Sequence, residues 1–190
     1  MKKLKDILQN VNPIKTIGDT TIYINELKLD SRKVEKGDVF FAIKGTTVDG
    51  HTFISKVIEQ GASVIVCEEI PNEINANVVY IQVSDARRTS AIMACNFYEH
   101  PSKRLQLVGV TGTNGKTSVA TLLHQIYVQK NHKSGLLSTI VNKINNEEIP
   151  STHTTPDPIA VNALLQKMVD ENCEYAFMEV SSHAADQDRI

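Results

Sequence analysis

This 190-residue chain has no tryptophan and only three cysteines. Cys67, Cys95 and Cys173 lie far apart and lack the paired spacing of a metal site or a disulfide framework, so we expect reduced thiols in a cytoplasmic protein. No apolar run approaches the roughly 18 residues of a membrane-spanning helix. The basic residues at 1–6 are not followed by the apolar segment of a secretory signal.

The charge of the chain is almost balanced, with 20 Lys plus Arg against 22 Asp plus Glu and a net charge of −2. This balance gives no electrostatic basis for a nucleic-acid or membrane partner. Hydrophobic residues make up 41% and charged residues 22% of the chain, which is typical of a globular protein and not of a disordered one. The length suits one domain, or one domain and part of another, at roughly 100–200 residues per domain.

Residues 1–102 have the pattern of a small α/β module. Short apolar runs predict strands at 22–29, 38–43, 63–67 and 78–83. Apolar residues at helical spacing predict one helix from Thr52 to Gln60, stopped by Gly61, and a second helix that begins after Asp85. The inward stripe predicted for the second helix is formed by Ala91, Ala94, Cys95 and Tyr98.

Residues 103–190 alternate strands and helices in a way that predicts a parallel sheet with right-handed crossovers. Strands are predicted at 105–110, 135–141 and 175–180, the first of them as a buried strand, and Asn145-Asn146 as a tight turn. A helix after Asp157-Pro158 is expected to turn Val161, Leu164, Leu165 and Met168 inward. A helix after residue 115 is expected to turn Val119, Leu122, Leu123 and Ile126 inward.

A phosphate-binding loop is the strongest motif of the chain. The segment Thr111–Thr117 joins a predicted strand to a predicted helix and ends in Gly-Lys-Thr. Glycines let backbone N–H groups approach phosphates, Lys116 would reach the β- and γ-phosphates, and the Thr117 hydroxyl would coordinate Mg²⁺. The general pattern has a glycine where this chain has Val110, and the alternative is an ordinary strand-to-helix turn. The flanking strand and helix favour ATP binding.

The spelling of this loop, Thr-Gly-Thr-Asn-Gly-Lys-Thr-Ser at 111–118, resembles the nucleotide loop of the Mur ligase family, which also includes folylpolyglutamate synthetases. One further group of residues resembles the N-terminal UDP-binding domain of two branches of that family, which add the third residue and the terminal dipeptide of the peptidoglycan peptide. This group is Leu29-Asp30-Ser31-Arg32 with 36–45 and Asp49-Gly50-His51. Two more groups resemble the branch that adds the third residue and not the one that adds the dipeptide, namely Thr154-Thr155-Pro156-Asp157 and residues 178–183.

This resemblance implies a small N-terminal α/β UDP-binding module at 1–102, followed by the first half of a P-loop, mostly parallel-sheet ATPase domain at 103–190. It also implies ATP and Mg²⁺ as cofactors, Lys116 as a catalytic residue, and Thr117 and Glu179 as metal ligands. For Glu179, the alternative is a solvated glutamate at the end of a strand. The residues implied in ATP binding are Gly112, Thr113, Asn114, Gly115, Lys116, Thr117 and Ser118.

The resemblance further implies contacts with a UDP-muramoyl substrate. The residues in question are Ser31, Thr46, Thr47, Val48, Thr154, Thr155, Ser181, Gln187 and Arg189. Arg189 suits a bidentate grip on a carboxylate. For Thr154 and Thr155 the alternative is a simple helix cap, which Asp157 could provide. The acids Asp186 and Asp188 depart from the family pattern beside an anionic substrate.

The reaction implied is ATP-dependent amide ligation, in which a diamino acid joins UDP-N-acetylmuramoyl-L-alanyl-D-glutamate through an acyl phosphate. Because family members have three domains, we expect a truncated chain that lacks the C-terminal ligase domain and is inactive alone. We expect small-molecule partners and a monomer. The alternatives are another ATP-dependent amide ligase, similar to folylpolyglutamate synthetase, and a non-catalytic nucleotide-binding module.

Overall fold

A computed structural model describes residues 1–45, 48–151, 156–182 and 184, and the chain forms two compact units, Met1–Phe97 and Tyr98–Ile190. Each unit is an α/β assembly with its own five-stranded sheet, as the alternation of strand and helix patterns predicts. In the described part of the chain, no helix is both long and apolar enough to cross a membrane.

The first unit is built on a mixed sheet. Its strands follow the order β2-β7-β6-β5-β4, in which β2 alone is antiparallel to its neighbour. A small antiparallel pair, β1 with β3, lies apart from this sheet. The strand bounds are β1 Lys2–Lys3, β2 Lys15–Ile17, β3 Tyr23–Ile24, β4 Leu27–Lys28, β5 Val39–Ala42, β6 Val64–Cys67 and β7 Val79–Gln82. The single strand predicted at 22–29 is therefore two short strands of different sheets.

The described residues of this unit form three α-helices, α1 (Leu4–Ile7), α2 (Ile54–Gln60) and α3 (Ala86–Phe97). Helix α2 follows a short 3-10 helix and ends at Gly61, as the sequence predicts, because Gly61 has a left-handed φ of 105° that only glycine adopts at little cost. Ile54 and Val57 of α2 pack in one core cluster with Phe40 of β5.

The buried face of α3 differs from the predicted stripe. The helix buries Ala86, Thr89, Ser90, Met93 and Ala94, whereas Ala91, Cys95 and Tyr98 are only partly buried. The helix contacts both α1 and β5. Its buried residues therefore begin in the first turn, at Ala86. The stripe predicted from 91 onward shares only Ala94 with the buried face.

The second unit has a sheet of order β11-β10-β9-β12-β8. Strands β8, β12 and β9 are parallel, whereas β10 and β11 extend the sheet as an antiparallel hairpin. The turn of this hairpin contains Asn145, with a left-handed φ of 53°, as the Asn-Asn pair predicts. The strand bounds are β8 Gln106–Val110, β9 Ser134–Leu137, β10 Val141–Ile144, β11 Glu147–Pro150 and β12 Tyr175–Glu179.

Helix α5 (Pro158–Asp170) begins and packs as predicted. The Asp157 side chain accepts a hydrogen bond from the backbone N–H of Ala160 over 2.9 Å, and Pro158 occupies the first turn. Val161, Leu165 and Met168 are buried against the sheet, and Leu164 is partly buried in the same cluster.

Helix α4 (Lys116–Gln129) buries a different face from the one predicted. The residues facing the sheet are Ala120 and His124, with Leu123 partly buried. Val119, Leu122 and Ile126 are 47%, 55% and 45% exposed, so the prediction that they face inward is wrong. The small side chain of Ala120 lets the helix approach Leu136 and Phe177 of the sheet closely.

Strand β8 is parallel, as predicted, but it is not buried. It lies at the end of the sheet, paired with β12. Val108 is 38% exposed, and Gln106 and Gly109 are also exposed. An apolar strand sequence reports what the strand can bury, and the position of the strand in the sheet decides what it does bury.

Candidate functional site

The segment between β8 and α4 has the geometry of a phosphate-binding loop. Gly115 precedes the helix with a left-handed φ of 81°, and the helix begins at Lys116. A side chain at 115 would meet nothing within 4 Å, so the conformation itself, and not the space, requires glycine there. The exposed residues of the loop therefore lie directly in front of the N-terminus of α4, where free N–H groups attract anions.

Lys116 lies against this loop. Its Nζ donates hydrogen bonds to the backbone carbonyl oxygens of Gly112, over 2.7 Å, and Thr113, over 3.3 Å. The side chain is thus held over the mouth of the loop, where its positive charge adds to that of the helix N-terminus.

Glu179 is the centre of a buried polar cluster beside the loop. Its side chain is 1% exposed and lies at the carboxyl end of β12, the strand adjacent to β8. Oε2 accepts hydrogen bonds from the hydroxyls of Thr117, over 3.0 Å, and Thr139, over 3.1 Å. Oε1 accepts from the backbone N–H of Thr139 over 2.9 Å. The fold therefore brings together the two residues expected to bind a metal ion.

These oxygens are of the type that Mg²⁺ prefers: a carboxylate and a threonine hydroxyl, at the edge where phosphate oxygens could complete the shell. The donor set fits a magnesium site of the kind in which the protein supplies one or two oxygen ligands.

A cavity of 480 Å³ opens next to the phosphate loop. Thr111, Gly112, Thr113 and Lys116 line one side, and Ser181 and Ser182 line the other. Ser181 follows β12, and its hydroxyl accepts a hydrogen bond from the backbone N–H of Ala184 over 3.1 Å. Of the predicted substrate contacts in this unit, Ser181 is the one that the described structure places at the phosphate loop.

The first unit contains its own pocket, of 700 Å³, on the carboxyl side of β4 and β5. It includes Ser31 and Val48, two of the residues expected to contact the substrate. Gly50 also lines it, and a Cβ atom there would lie 2.7 Å from the backbone nitrogen and oxygen of Ile43, so only glycine fits. The lining residues are Leu29, Asp30, Ser31, Arg32, Phe40, Phe41, Ile43, Gly45, Val48, Gly50, Phe53, Lys56 and Arg87.

The chemistry of this pocket suits a nucleotide. Phe53, which is only partly buried, supplies aromatic surface, and Arg32, Lys56 and Arg87 supply positive charge. Arg32 forms a bidentate pair with Asp30, with distances of 2.9 and 2.8 Å from its Nε and Nη2 to the carboxylate. Hydrogen bonds from the Arg32 side chain and backbone lower the pKa of Asp30 from 3.8 to about 2.

Six of the predicted site residues lie outside the described residues. They are Thr46, Thr47, Thr154, Thr155, Gln187 and Arg189. Sequence reasoning missed Thr139, Lys56 and Arg87. Thr139 had a usable signal, because it follows the apolar run of β9 and the carboxyl ends of parallel strands share one edge of the sheet. Lys56 and Arg87 had none, since each is an ordinary charged residue at the start of a helix.

Comparison with known families gives two matches in chain order. The model described as "Mur ligase family, catalytic domain" matches residues 23–98, and the model described as "Mur ligase middle domain" matches residues 110–190. The first match falls in the unit with the 700 Å³ pocket and the second in the unit with the phosphate loop.

Curated relatives match over nearly the whole chain. A protein of Bacteroides fragilis named UDP-N-acetylmuramoyl-L-alanyl-D-glutamate–2,6-diaminopimelate ligase is 50% identical over 188 residues, covering 99% of this chain. One of Clostridium acetobutylicum with the same name, numbered 1, is 42% identical over 188 residues, also 99% of this chain. The chain spans 39% of the length of each of these relatives.

Solved structures give the same result for the fold. A ligase with this name superposes with a TM-score of 0.79 at 25% identity, covering 96% of this chain and 37% of the other. A MurF ligase from Thermotoga maritima, solved in complex with ADP, gives a TM-score of 0.54 at 24% identity, covering 82% of this chain and 31% of the other. The second likeness concerns the fold alone.

Proposed function

The chain belongs to the Mur ligase family, and from this premise we propose that it is part of an ATP-dependent ligase that adds a diamino acid to UDP-N-acetylmuramoyl-L-alanyl-D-glutamate. The relatives that match 99% of the chain carry the names of 2,6-diaminopimelate ligases. We therefore propose 2,6-diaminopimelate as the diamino acid. The chain contributes the nucleotide loop and a uridine pocket to this reaction.

The proposed reaction has two steps. In the first step, the substrate carboxylate attacks the γ-phosphorus of ATP, and the bond from this phosphorus to the oxygen of the β-phosphate breaks. ADP departs, and an acyl phosphate is formed. The amine then attacks the acyl carbon, loses a proton, and expels inorganic phosphate. Both steps bring anions together, so catalysis requires positive charge and fixed positions more than covalent chemistry from the protein.

Lys116 supplies the charge at the loop. In the proposed complex its Nζ exchanges the carbonyl oxygens of Gly112 and Thr113 for phosphate oxygens, within reach of its present position. The backbone N–H groups at the start of α4 hold the same phosphates. Mg²⁺, when bound, would neutralise charge on the β- and γ-phosphates, with Thr117 and Glu179 as the residues that hold it. Thr139 fixes the Glu179 carboxylate through two hydrogen bonds.

Ser181 is proposed to face the muramoyl-peptide, because it lines the cavity that also contains Lys116. The pocket of the first unit is proposed to hold the uridine diphosphate, with Ser31 and Val48 at its wall and Arg32, Lys56 and Arg87 available to its phosphates. Thr46, Thr47, Thr154, Thr155, Gln187 and Arg189 stay predictions, as do the monomeric state and the cytoplasmic location.

The observation that carries this proposal is the contact between Thr117 and Glu179. The two residues are 62 positions apart, yet their oxygens lie 3.0 Å from each other beside the phosphate loop. An ordinary strand-to-helix turn does not require a buried carboxylate from another strand at this point, whereas a site for a metal–triphosphate complex does.

Calorimetric titration of the 190-residue chain tests the proposal. We expect it to bind both UDP-N-acetylmuramoyl-L-alanyl-D-glutamate and, with Mg²⁺, a non-hydrolysable ATP analogue. Lys116→Ala should weaken binding of the analogue at least tenfold and leave binding of the UDP-dipeptide unchanged. Lys103→Ala, which removes an exposed lysine of the same unit, serves as the matched control and should alter neither.

If the chain binds the ATP analogue but does not bind the UDP-dipeptide, the proposal is overturned. This result would favour instead a folylpolyglutamate synthetase-like ligase or a non-catalytic nucleotide module, neither of which requires a uridine pocket.

A further inference from the structure

A histidine outside the pocket of the first unit connects two of the walls of that pocket. His51 lies in the 3-10 helix Gly50–Phe53, and its side chain is 17% exposed. Its Nδ1 lies 2.7 Å from the Asp49 carboxylate, and its Nε2 accepts hydrogen bonds from the backbone N–H groups of Glu68, over 3.1 Å, and Glu69, over 3.3 Å. Both nitrogens of the ring are therefore engaged by protein groups.

These contacts agree on one protonation state. A carboxylate only accepts hydrogen bonds, so Nδ1 carries the proton, and the two N–H donors at Nε2 require a lone pair there. The ring is therefore neutral, in the Nδ1–H form. Hydrogen bonds from the backbone and the ring of His51 lower the pKa of Asp49, which keeps its carboxylate ionised as the partner of the ring.

One side of this connection is the loop wall of the pocket. Asp49 caps the 3-10 helix by accepting a hydrogen bond from the backbone N–H of His51 over 2.9 Å. Its neighbour Gly50 is fixed to Ile43 by a backbone hydrogen bond of 2.9 Å, and Gly45 to Val48 by one of 3.0 Å. Gly45, Val48 and Gly50 all line the pocket.

The other side leads to the helix wall. Glu68 follows β6, and its Oε1 accepts a hydrogen bond from the backbone N–H of Ala86, the first residue of α3, over 3.1 Å. The next residue, Arg87, lines the pocket. A continuous path of hydrogen bonds thus runs from the loop, through His51 and Glu68, to the start of α3.

We propose that His51 is a positioning residue of this pocket, which fixes the loop that carries Val48 at a set distance from the helix that carries Arg87. His51 does not line the pocket itself, so it acts through these residues. The proposal rests on the uridine-nucleotide role proposed above for the pocket, since a fixed width matters for a ligand that touches both walls.

The tautomer is tested first, because this measurement needs no ligand. Long-range ¹H–¹⁵N correlation spectra of the ¹⁵N-labelled chain at neutral pH should show His51 with a protonated Nδ1 and an unprotonated Nε2. A ring protonated at Nε2, or at both nitrogens, would overturn the proposal, since neither form can accept from Glu68 and Glu69.

Binding of UDP is tested next. His51→Ala should weaken UDP binding about tenfold at a temperature well below its unfolding transition, and it should shift the amide resonances of Val48, Gly50 and Arg87. His51→Gln, which keeps a donor and an acceptor on the side chain, should recover most of the affinity. His132→Ala removes a histidine that also faces a carboxylate, Glu174, and serves as the matched control with no effect on either measurement.

The outcomes separate the two proposals. Failure of the unsubstituted chain to bind UDP would contradict the uridine role, while the tautomer and the amide shifts would still decide the role of His51. If UDP binds the unsubstituted chain and His51→Ala equally well, with no shift at Val48 or Arg87, the positioning role is wrong. A variant that is merely less stable would melt earlier without this loss of affinity. If His51→Ala does not fold, the positioning role is decided by the affinity of His51→Gln for UDP and by the tautomer of His51 in the unsubstituted chain.

Discussion

Thr117 donates a hydrogen bond from its hydroxyl to Oε2 of Glu179 over 3.0 Å, and so joins the first turn of α4 to the end of β12. If this pair binds Mg²⁺, Glu179→Gln should weaken Mg²⁺-dependent binding of ADP at least tenfold, because an amide lacks the charge that a hard cation requires. Binding of ADP without Mg²⁺ should not change. Calorimetry with and without Mg²⁺ measures both.

Thr117 offers a matched pair for the same measurement. Thr117→Ser keeps the hydroxyl and should retain Mg²⁺-dependent binding, whereas Thr117→Val has a similar volume without the oxygen and should lose it. Equal affinities for the two variants would contradict the metal role of Thr117.

Asp30 should remain ionised to unusually low pH. Its pKa is lowered to about 2 by the hydrogen bonds from Arg32, against 3.8 for an ordinary aspartate. Because the folded state holds the proton less readily than the unfolded chain, this pair stabilises the fold above about pH 4, and the contribution is lost as the pH falls from there toward about 2. An NMR titration of the Asp30 carboxyl carbon should give a midpoint of about 2.

Arg32→Gln should move that midpoint part of the way toward 3.8, the ordinary value, because the side-chain hydrogen bonds are lost while the backbone N–H of residue 32 still donates to the carboxylate. Arg88→Gln removes an exposed arginine of the same unit and should leave it in place. An unchanged midpoint in Arg32→Gln would show that the bidentate pair does not exist in solution.

His124 should make the chain less stable in mild acid. Burial lowers its pKa, against a smaller opposing effect of the Ser134 carbonyl, which lies 3.2 Å from Nε2. The unfolded chain therefore takes up a proton below about pH 6.5 that the folded chain resists, so the free energy of unfolding falls as the pH decreases below that value. Urea unfolding between pH 5 and pH 7.5 measures this slope.

The slope should largely disappear in His124→Gln, which has no proton to take up. It should persist in His132→Gln, which removes a more exposed histidine of the same unit. If the slope disappears in His132→Gln and persists in His124→Gln, it arises from His132, and the prediction for His124 is wrong.

The cysteines should differ in reactivity. Burial raises the pKa of the Cys67 thiol to about 11 and that of Cys173 in the same direction, whereas Cys95 is partly exposed. Because the thiolate is the nucleophile, iodoacetamide at pH 8 should alkylate Cys95 well before the other two. Mass spectrometry of the digested protein measures the order, and unfolding in urea should make all three react alike.

Two serines of the second unit should respond in opposite directions to removal of the hydroxyl. Ser134 Oγ is buried without a hydrogen-bond partner among the described residues. Ser134→Ala should therefore raise the free energy of unfolding, by about 1 kcal/mol, because an unpaired buried polar group is costly.

Ser138 Oγ, in contrast, donates to the carbonyl of Val141 over 2.6 Å. Ser138→Ala should lower the free energy of unfolding by about 1 kcal/mol. A stabilised Ser138→Ala would contradict this account.

Helices were predicted well where their ends carry specific residues. Asp157 with Pro158, and Gly61 after α2, marked boundaries that the structure has, because caps depend on local backbone groups that the neighbouring sequence supplies. The buried face of α4 could not be predicted in the same way. Apolar spacing shows which residues could be buried, but the sheet selects the face, and it selected Ala120 and His124.

The candidate site divides along the same line. The loop at 111–118 could be predicted because one continuous segment carries it. The role of Thr139 beside Glu179, and that of Arg87 in the pocket that Val48 also lines, depends on which strand ends and helix starts the topology brings together. No local pattern in the sequence encodes such a neighbour. In the same way, nothing in the sequence around His51 indicates that its ring accepts hydrogen bonds from the backbone of Glu68 and Glu69.

The exposed strand β8 also affects the tendency of this chain to associate with itself in solution. That strand lies at the end of its sheet, with Val108 exposed, and the nearby helix α4 exposes Val119, Leu122 and Ile126. Open strand edges and apolar surface invite other copies to add to them. Preparations should therefore be handled dilute and cold, and light scattering should rise with protein concentration before any nucleotide is added.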